Sequence, residues 1–173
     1  MRRLYSLVFL LLLPLILLRL YWKSRQLPAY RQHIAERLGF YPPAAGRFIW
    51  LHAVSVGETR AAAPLVRQLQ QRYPGFRLLL TQMTPTGRET AQQLFGDSVK
   101  CVYLPYDFPW IVRRFLRHFR PAFGVLMETE IWPNLIHQCR LQNVPIYLVN
   151  ARLSERSARG YGKLRKLVQP AFA

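Results

Sequence analysis

A chain of 173 residues with 51% hydrophobic content can build one core, and no long polar linker divides it. The 25 Lys and Arg residues against 8 Asp and Glu residues give a formal charge of +17, which favours a polyanionic partner: nucleic acid, an anionic membrane surface or a phosphorylated substrate. Cys101 and Cys139 lie in no CxxC or Cys/His spacing, so the sequence argues against a zinc site or a disulfide framework and fits a reducing compartment.

Residues 1–24 are predicted to form a membrane anchor. Apolar residues run without interruption from Leu7 to Leu18, which is short for a spanning helix of about 20 residues, so the helix would tilt or use Tyr21 and Trp22 at the interface. A cleaved signal peptide is the alternative, but no small-residue cleavage site follows the run. Basic residues after the run predict that the rest of the chain is cytoplasmic.

Residues 25–46 are predicted to be a basic interfacial segment and linker. Tyr30, Ile34 and Leu38 are spaced as in a helix that lies on a membrane surface. A stretch rich in proline and glycine then leads to the folded domain, which is predicted to occupy residues 47–173.

Short apolar runs alternate with amphipathic stretches throughout this domain. The predicted strands are residues 48–51, 76–81, 99–104, 123–127 and 146–149. The first intervening helix is predicted over residues 59–71, and the second begins with a capping box at residues 86–89. The third is predicted to be capped by Asp107 and to end at residue 119, and the fourth follows the fourth strand and ends at residue 142. Because each crossover between parallel strands needs a helix, the sequence predicts an α/β fold with a Rossmann-like, doubly wound parallel sheet.

Polar residues recur where the predicted strands end, which is the edge at which open α/β sheets bind ligands. They are Ser55 and Glu58, Thr84 and Thr86, Glu128 and Glu130, and Asn150 and Arg152; the candidate site residues Gly57 and Gly87 lie in the same segments. Glu58 has two interpretations at this stage. It can close a capping box by accepting from the Ser55 amide, or it can act as a general base. Glu128 and Glu130 can likewise only favour the positive end of their helix.

Four of these strand-end segments carry a family resemblance: residues 52–58 (HAVSVGE), 84–87 (TPTG), 128–134 (ETEIWPN) and 150–154 (NARLS). With them the chain closely resembles the 3-deoxy-D-manno-octulosonic acid (Kdo) transferases of lipopolysaccharide synthesis. The resemblance implies the N-terminal acceptor domain of a GT-B glycosyltransferase, which has a second, donor-binding domain. Family members are longer, so the donor-binding half is expected to be missing from this sequence.

The resemblance also implies the chemistry. Kdo passes from CMP-Kdo to a phosphorylated lipid A precursor with inversion, at the cytoplasmic face of the inner membrane. Glu58 becomes the catalytic base, and the other strand-end residues become acceptor-binding, with one of Glu128 and Glu130 facing the cleft. No metal or other cofactor is expected. We add Arg60 and Arg152 as partners for acceptor phosphates, because guanidinium groups match phosphate oxygens.

Two alternatives remain open. The chain can be a catalytically inert, membrane-bound fragment that binds glycolipid, since the donor half is expected to be missing. Nucleic-acid binding rests on charge alone, because the aromatic residues lie mostly in apolar runs and no binding motif is present, so a nucleic-acid partner is not expected.

Overall fold

The computed structural model describes residues 2–128 and 132–150. Its centre is a five-stranded sheet in the order β3-β2-β1-β4-β5, and every neighbouring pair is parallel. The strands are β1 (Phe48–His52), β2 (Arg77–Gln82), β3 (Val99–Tyr103), β4 (Pro121–Met127) and β5 (Ile146–Val149). The predicted parallel α/β fold is therefore confirmed, with strand ends that differ from the predicted ones by at most two residues.

Helices cover both faces of the sheet. The helices are α1 (Arg2–Gln26), α2 (Ile34–Arg37), α3 (Val56–Arg72), α4 (Pro85–Phe95), α5 (Pro109–Phe119) and α6 (Pro133–Leu141). One core layer joins the sheet to α5 and α6, and the other joins it to α3 and α4. Phe48 and Trp50 of β1 face the first layer, and Ile49 and Leu51 face the second, so β1 is buried on both sides as its continuous apolar sequence predicts.

A glycine lets the two central strands pack closely. A Cβ atom at Gly124 of β4 would lie 2.6 Å from the indole ring of Trp50 and 2.7 Å from Cδ1 of Ile146. Real Cβ atoms do not approach other heavy atoms so closely, so this position has room only for glycine while Trp50 keeps its place in the core.

The segment after α1 differs from the predicted interfacial helix. The chain forms a 3-10 turn at Pro28–Arg31, then His33 adopts a positive φ of 55°, and α2 lasts only four residues. Proline has no N–H to donate and its ring clashes with the preceding turn, so Pro28 disfavours a longer helix; α1 accommodates Pro14 in its interior but ends at Gln26. The domain boundaries at residues 24 and 46 stay predictions.

Instead of lying on a surface, α2 packs over the carboxyl ends of β2 and β3. The buried Glu36 carboxylate accepts from the Tyr103 amide at 2.8 Å and forms a two-bond ion pair with Arg88 at 2.5 and 3.3 Å. Arg37 donates to the Met83 carbonyl at 3.0 Å, and its guanidinium lies 4.0 Å from the centre of the Tyr103 ring. These contacts attach the N-terminal segment to the functional edge of the sheet.

Two predicted helix caps are wrong. The N-cap of α4 is Thr84, because Pro85 suits the first helical position and Thr84 Oγ1 accepts from the Gly87 amide. Asp107 does not cap α5, whose N-cap is Phe108 without a side-chain bond. The Asp107 carboxylate instead accepts from the backbone amides of Asn134 at 3.0 Å and Leu135 at 2.7 Å, and so caps the beginning of α6.

Candidate functional site

The candidate site lies at the carboxyl ends of β1 and β4, the two adjacent central strands. From β1 the chain crosses to β2 on one side, whereas β4 pairs with β1 on the other, so the winding direction reverses between them. The helices that follow the two strands, α3 and α6, pack on opposite faces of the sheet, and at such a reversal open α/β sheets bind ligands.

The loop after β1 holds the Glu58 carboxylate in a fixed position. Ser55 is the N-cap of α3 and accepts from the Glu58 amide at 3.3 Å. The Glu58 Oε2 atom accepts from the Val54 amide at 2.7 Å, and Oε1 accepts from the Ser55 hydroxyl at 2.9 Å. The carboxylate thus closes a local cap as predicted, but it reaches the amide of Val54 rather than that of Ser55.

This capping geometry leaves the carboxylate with unused acceptor capacity. Glu58 is 7% exposed, and each of its oxygens accepts one of the bonds above. A carboxylate oxygen has two lone-pair directions, so one direction on each oxygen is not used by these bonds. Capping and acting as a base are therefore compatible roles for this side chain.

Gly57 leaves the backbone open beside this carboxylate. It lies in the first turn of α3 and is exposed, and a Cβ atom there would meet only Ser55 Oγ, at an ordinary 3.8 Å. Nothing packed against it in the described part of the chain explains the absence of a side chain. A ligand can approach the first turn of the helix more closely at glycine than at any other residue.

The loop after β2 is tied directly to the loop after β1. Thr84 donates from Oγ1 to the Val54 carbonyl at 3.2 Å while it caps α4. A Cβ atom at Gly87 would lie 3.0 Å from Thr84 Oγ1 and 3.3 Å from that same carbonyl, so Gly87 allows the two loops to touch. Thr84 and Gly87 therefore position the loop that carries Glu58, whereas Thr86 is exposed and can meet a ligand.

Thr86 also lines a groove at this edge. The groove, of about 420 Å³, runs between the 3-10 turn and the start of α4. Its lining residues include His33, Thr86, Arg88, Glu89 and Tyr103. It therefore combines hydroxyl, cationic and carboxylate groups beside the β2–α4 loop.

The loop after β4 begins with Glu128 in a left-handed conformation. Its φ is 59°, a region that costs a non-glycine residue roughly 1–2 kcal/mol, and its amide donates to the Val149 carbonyl at 2.9 Å. Asn150 follows β5, is exposed and also has a positive φ of 55°. Arg60 is exposed on α3. Glu130 and Arg152 lie outside the described residues.

Sequence reasoning did not single out the ion pair between Glu36 and Arg88. A signal was available, because Glu36 is one of only 8 acidic residues in a strongly basic chain. Its partners lie 52 and 67 residues away, however, and no local pattern connects them.

His52, at the end of β1, is a core residue. It is fully buried, burial lowers its pKa to about 4, and its Nδ1 lies 3.1 Å from the Thr81 carbonyl. Nδ1 also lies 2.9 Å from Thr81 Oγ1, so the neutral ring is held by the carbonyl and the hydroxyl of Thr81.

Within residues 2–128 and 132–150, no group of three His, Cys, Asp or Glu side chains is arranged to hold a metal ion. Burial raises the pKa of the Cys101 thiol to about 11 and that of the Cys139 thiol to about 12, so neither is poised as a nucleophile. The expectation that the chemistry needs no metal or other cofactor stays a prediction.

Comparison with known proteins identifies the family. The family model described as 3-deoxy-D-manno-octulosonic-acid transferase (kdotransferase) matches residues 32–173. The chain is 50% identical to a 3-deoxy-D-manno-octulosonic acid transferase of Haemophilus influenzae, over 98% of this chain and 40% of that protein. Similar transferases of Bordetella pertussis and Chlamydia pneumoniae are 42% and 29% identical, over 99% and 98% of this chain and 42% and 40% of theirs. The chain thus spans about two fifths of the length of these curated relatives. Because the family model covers most of its residues, the chain belongs to the Kdo transferase family.

Proposed function

We propose that this chain forms the acceptor-binding side of an inverting glycosyltransferase that moves Kdo from CMP-Kdo to a phosphorylated lipid A precursor. The observation that carries the proposal is the Glu58 carboxylate, held by two hydrogen bonds in the loop after β1 in a chain of this family. The names of the relatives supply the sugar, and the sequence motifs supply the remaining details.

In this proposal Glu58 is the general base. It takes the proton from a sugar hydroxyl of the acceptor while that oxygen forms a bond to the anomeric carbon of Kdo. The bond from that carbon to the CMP phosphate breaks, and CMP leaves with the electron pair. One base is sufficient, because attack from the face opposite the leaving group inverts the configuration directly.

The contacts around Glu58 support this role through orientation. The Val54 amide and the Ser55 hydroxyl each hold one carboxylate oxygen, so the side chain cannot swing away when a substrate enters. The lone-pair directions that these bonds do not use are free to accept a substrate hydroxyl, and exposed Gly57 lets that substrate approach the helix end. A general base fixed within hydrogen-bond reach contributes roughly 10²–10⁴ to the rate.

The acceptor is proposed to lie across the neighbouring loops. Thr86, Asn150 and Glu128 offer polar groups at the same edge of the sheet, and the groove beside Thr86 is large enough for part of a sugar headgroup. Arg60, exposed on α3, is our proposed partner for an acceptor phosphate, together with Arg152 outside the described residues. Ser55, Thr84, Gly87 and Glu130 complete the proposed acceptor-binding set.

A GT-B enzyme needs a second Rossmann-like domain for the nucleotide sugar. We place the CMP-Kdo site in the part of the longer relatives that this chain does not match, and the acceptor side at the cytoplasmic face of the inner membrane. Because the chain spans only about two fifths of those relatives, a catalytically inert, glycolipid-binding fragment is the second candidate function.

A chimeric enzyme separates these candidates. Residues 1–173 are joined to the part of the Haemophilus influenzae transferase that lies beyond its match, and transfer from CMP-Kdo to the lipid A precursor is measured by mass spectrometry. We expect the chimera to transfer Kdo and the chain by itself to bind the precursor without transfer. A folded chimera that neither transfers nor binds the precursor would refute the proposed function, and transfer by the chain by itself would refute the inert fragment.

A further inference from the structure

The apolar N-terminal helix packs along the α/β domain. Phe9, Leu13 and Ile16 lie against a small cluster formed by Tyr106, Phe108 and Ile111. The ring centre of Phe9 lies 5.0 Å from that of Phe108 and 6.4 Å from that of Tyr106. The spacing of the three helix residues puts them on one stripe of α1, so this stripe is the face that docks.

A polar contact extends the docked stripe toward the N-terminus. The side-chain amide of Asn134 donates to Ser6 Oγ at 3.0 Å and to the Asp107 carbonyl at 2.6 Å. Asn134 is fully buried at the start of α6. The docked part of α1 therefore runs from Ser6 to Ile16, about 15 Å at the rise of an α-helix.

This docking conflicts with a helix that spans the bilayer. In a spanning helix Ser6 would lie about 25 Å along the axis from Lys23, across most of a hydrocarbon core about 30 Å thick. Asn134 and Asp107 would have to follow Ser6 into the hydrocarbon together with the polar backbone and loops of the domain. Such groups are not tolerated against lipid, so the docked helix has to stay on the side of the membrane where the domain lies.

The remaining faces of α1 are apolar and exposed. Leu11, Leu15, Leu18 and Trp22 are 70%, 61%, 63% and 71% exposed, and no residue in the described part of the chain covers them. This helix is long and apolar enough to cross a membrane by length and composition, and its most apolar 18-residue stretch has a mean hydropathy of 2.2. The outer surface of α1, defined by these four residues, is therefore an unpartnered apolar face.

Cationic and aromatic groups border this outer surface. Those on α1 are Arg3, Arg19, Lys23 and Arg25, all exposed. Trp110 is 50% exposed and stacks on Phe108, directly beside the docked stripe. An apolar face with an indole and several cations at its border complements the interface of an anionic bilayer.

We propose that α1 is a monotopic helix that lies in the interface of an anionic membrane, with Arg2 and the α/β domain on the same side. Its inner stripe holds the domain and its outer surface enters the acyl region. The inference deepens the membrane location in the proposed function, on which it rests, but its tests have no catalytic readout and can fail independently of that function.

Topology mapping tests the central point. In a chain with Cys101→Ser and Cys139→Ala, a single cysteine is introduced as Arg3→Cys or, as the matched control on an exposed face of α3, as Arg67→Cys. Both are treated with a membrane-impermeant maleimide in inverted and right-side-out vesicles of a Gram-negative bacterium. We expect both cysteines to react only in inverted vesicles. Reaction of Arg3→Cys only in right-side-out vesicles would overturn the proposal, because it would show a spanning helix.

Cross-linking tests the docked stripe inside membranes. The pair Ser6→Cys and Asn134→Cys is oxidised mildly in the same cysteine-free background, with Leu7→Cys and Asn134→Cys as the control, because Leu7 is 53% exposed on another face. We expect a disulfide in the first pair at a yield at least fivefold above the control. Equal yields in a pair that still folds would overturn the docked arrangement.

Vesicle flotation identifies the occupant of the outer surface. The purified chain is mixed with vesicles of phosphatidylcholine, with or without phosphatidylglycerol. We expect the anionic lipid to raise the bound fraction several-fold, and Leu11→Asp combined with Leu15→Asp to lower it at least tenfold. A chain that does not float with either vesicle, or that forms a stable dimer which the same two changes dissociate, would overturn a lipid occupant.

Discussion

The Glu58 side chain makes a testable contribution to stability that is separate from any chemistry. In Glu58→Ala the Val54 amide loses its charge-assisted bond of 2.7 Å, which is worth about 1.5–3 kcal/mol. The negative charge at the start of α3 is also lost, worth about 0.3–1 kcal/mol. The free energy of unfolding is therefore expected to fall by about 2–4 kcal/mol.

Glu58→Gln should behave differently. Its amide oxygen can still accept from the Val54 amide, and its amide nitrogen can donate to Ser55 Oγ, so only the charge is lost. A fall of about 1 kcal/mol is expected. Glu89→Gln on α4 is the matched control, because Glu89 is exposed and should change stability by less than about 0.5 kcal/mol.

Urea unfolding in mild detergent, followed by far-ultraviolet circular dichroism and by tryptophan fluorescence, to which buried Trp50 contributes, measures these differences. Equal stability of Glu58→Ala and Glu58→Gln would refute the view that the carboxylate holds the loop. If Glu58→Ala is the less stable variant, its loss of transfer would combine a structural defect with the loss of the base. Glu58→Gln is then the better variant for testing the base.

Three further predictions concern the core and the edge of the sheet. Gly124→Ala should lower the free energy of unfolding by about 1–3 kcal/mol. The control Gly75→Ala, with nothing within 4 Å of its new Cβ, should leave it unchanged, and equal effects of the two changes in thermal unfolding would contradict this prediction. Glu36→Ala should cost about 3 kcal/mol in urea unfolding, since it leaves Arg88 unpaired, and a loss below about 1 kcal/mol would contradict the buried role of that pair. Burial holds the pKa of His52 at about 4, below the reference value of 6.5, so the unfolded chain binds a proton that the folded chain rejects as the pH falls. The free energy of unfolding of the unmodified chain minus that of His52→Gln should thus be constant above pH about 6.5 and fall by about 3 kcal/mol toward pH 4. A difference that does not change with pH would contradict this prediction.

The sheet could be predicted from sequence because its signals are local. β1 is a continuous apolar run in which every residue is fully buried, and the turn-forming residues around the other strands mark their limits closely. β4 begins at Pro121, two residues before its predicted start, because Pro121 pairs with Phe48 of β1 beyond an irregularity in the parallel register. The pairing of β4 with β1 depends on both strands, so the sequence of β4 alone does not predict it.

The missed features depend on long-range contacts. Asp107 is next to a helix start and resembles its cap, but it serves α6, whose first residues lie 27 and 28 positions further along the chain. Glu36 and Arg37 look like part of a surface helix, but they are buried against residues of β3 and the β2–α4 loop. Local charge patterns do not reveal such partners, so sequence alone missed these contacts in both segments.

The candidate site falls between these cases. The Ser55 cap and the position of Glu58 at the end of β1 follow from a local pattern and were predicted. That the carboxylate reaches Val54, and that Thr84 joins the same loop through the Val54 carbonyl, required the structure. The shared contact with Val54 shows why capping and base roles for Glu58 are not exclusive alternatives.

The central claim is that Glu58 takes the proton of the acceptor hydroxyl. Its most direct test is the single-turnover rate of Kdo transfer by the chimeric enzyme carrying Glu58→Gln, with the Glu89→Gln chimera as control and circular dichroism to verify the fold. If Glu58 is the base, the rate for Glu58→Gln will be lower by a factor of roughly 10²–10⁴ with unchanged binding of the lipid A precursor, and the control will keep its rate. A folded Glu58→Gln chimera that transfers Kdo within a fewfold of the unmodified rate would contradict this claim.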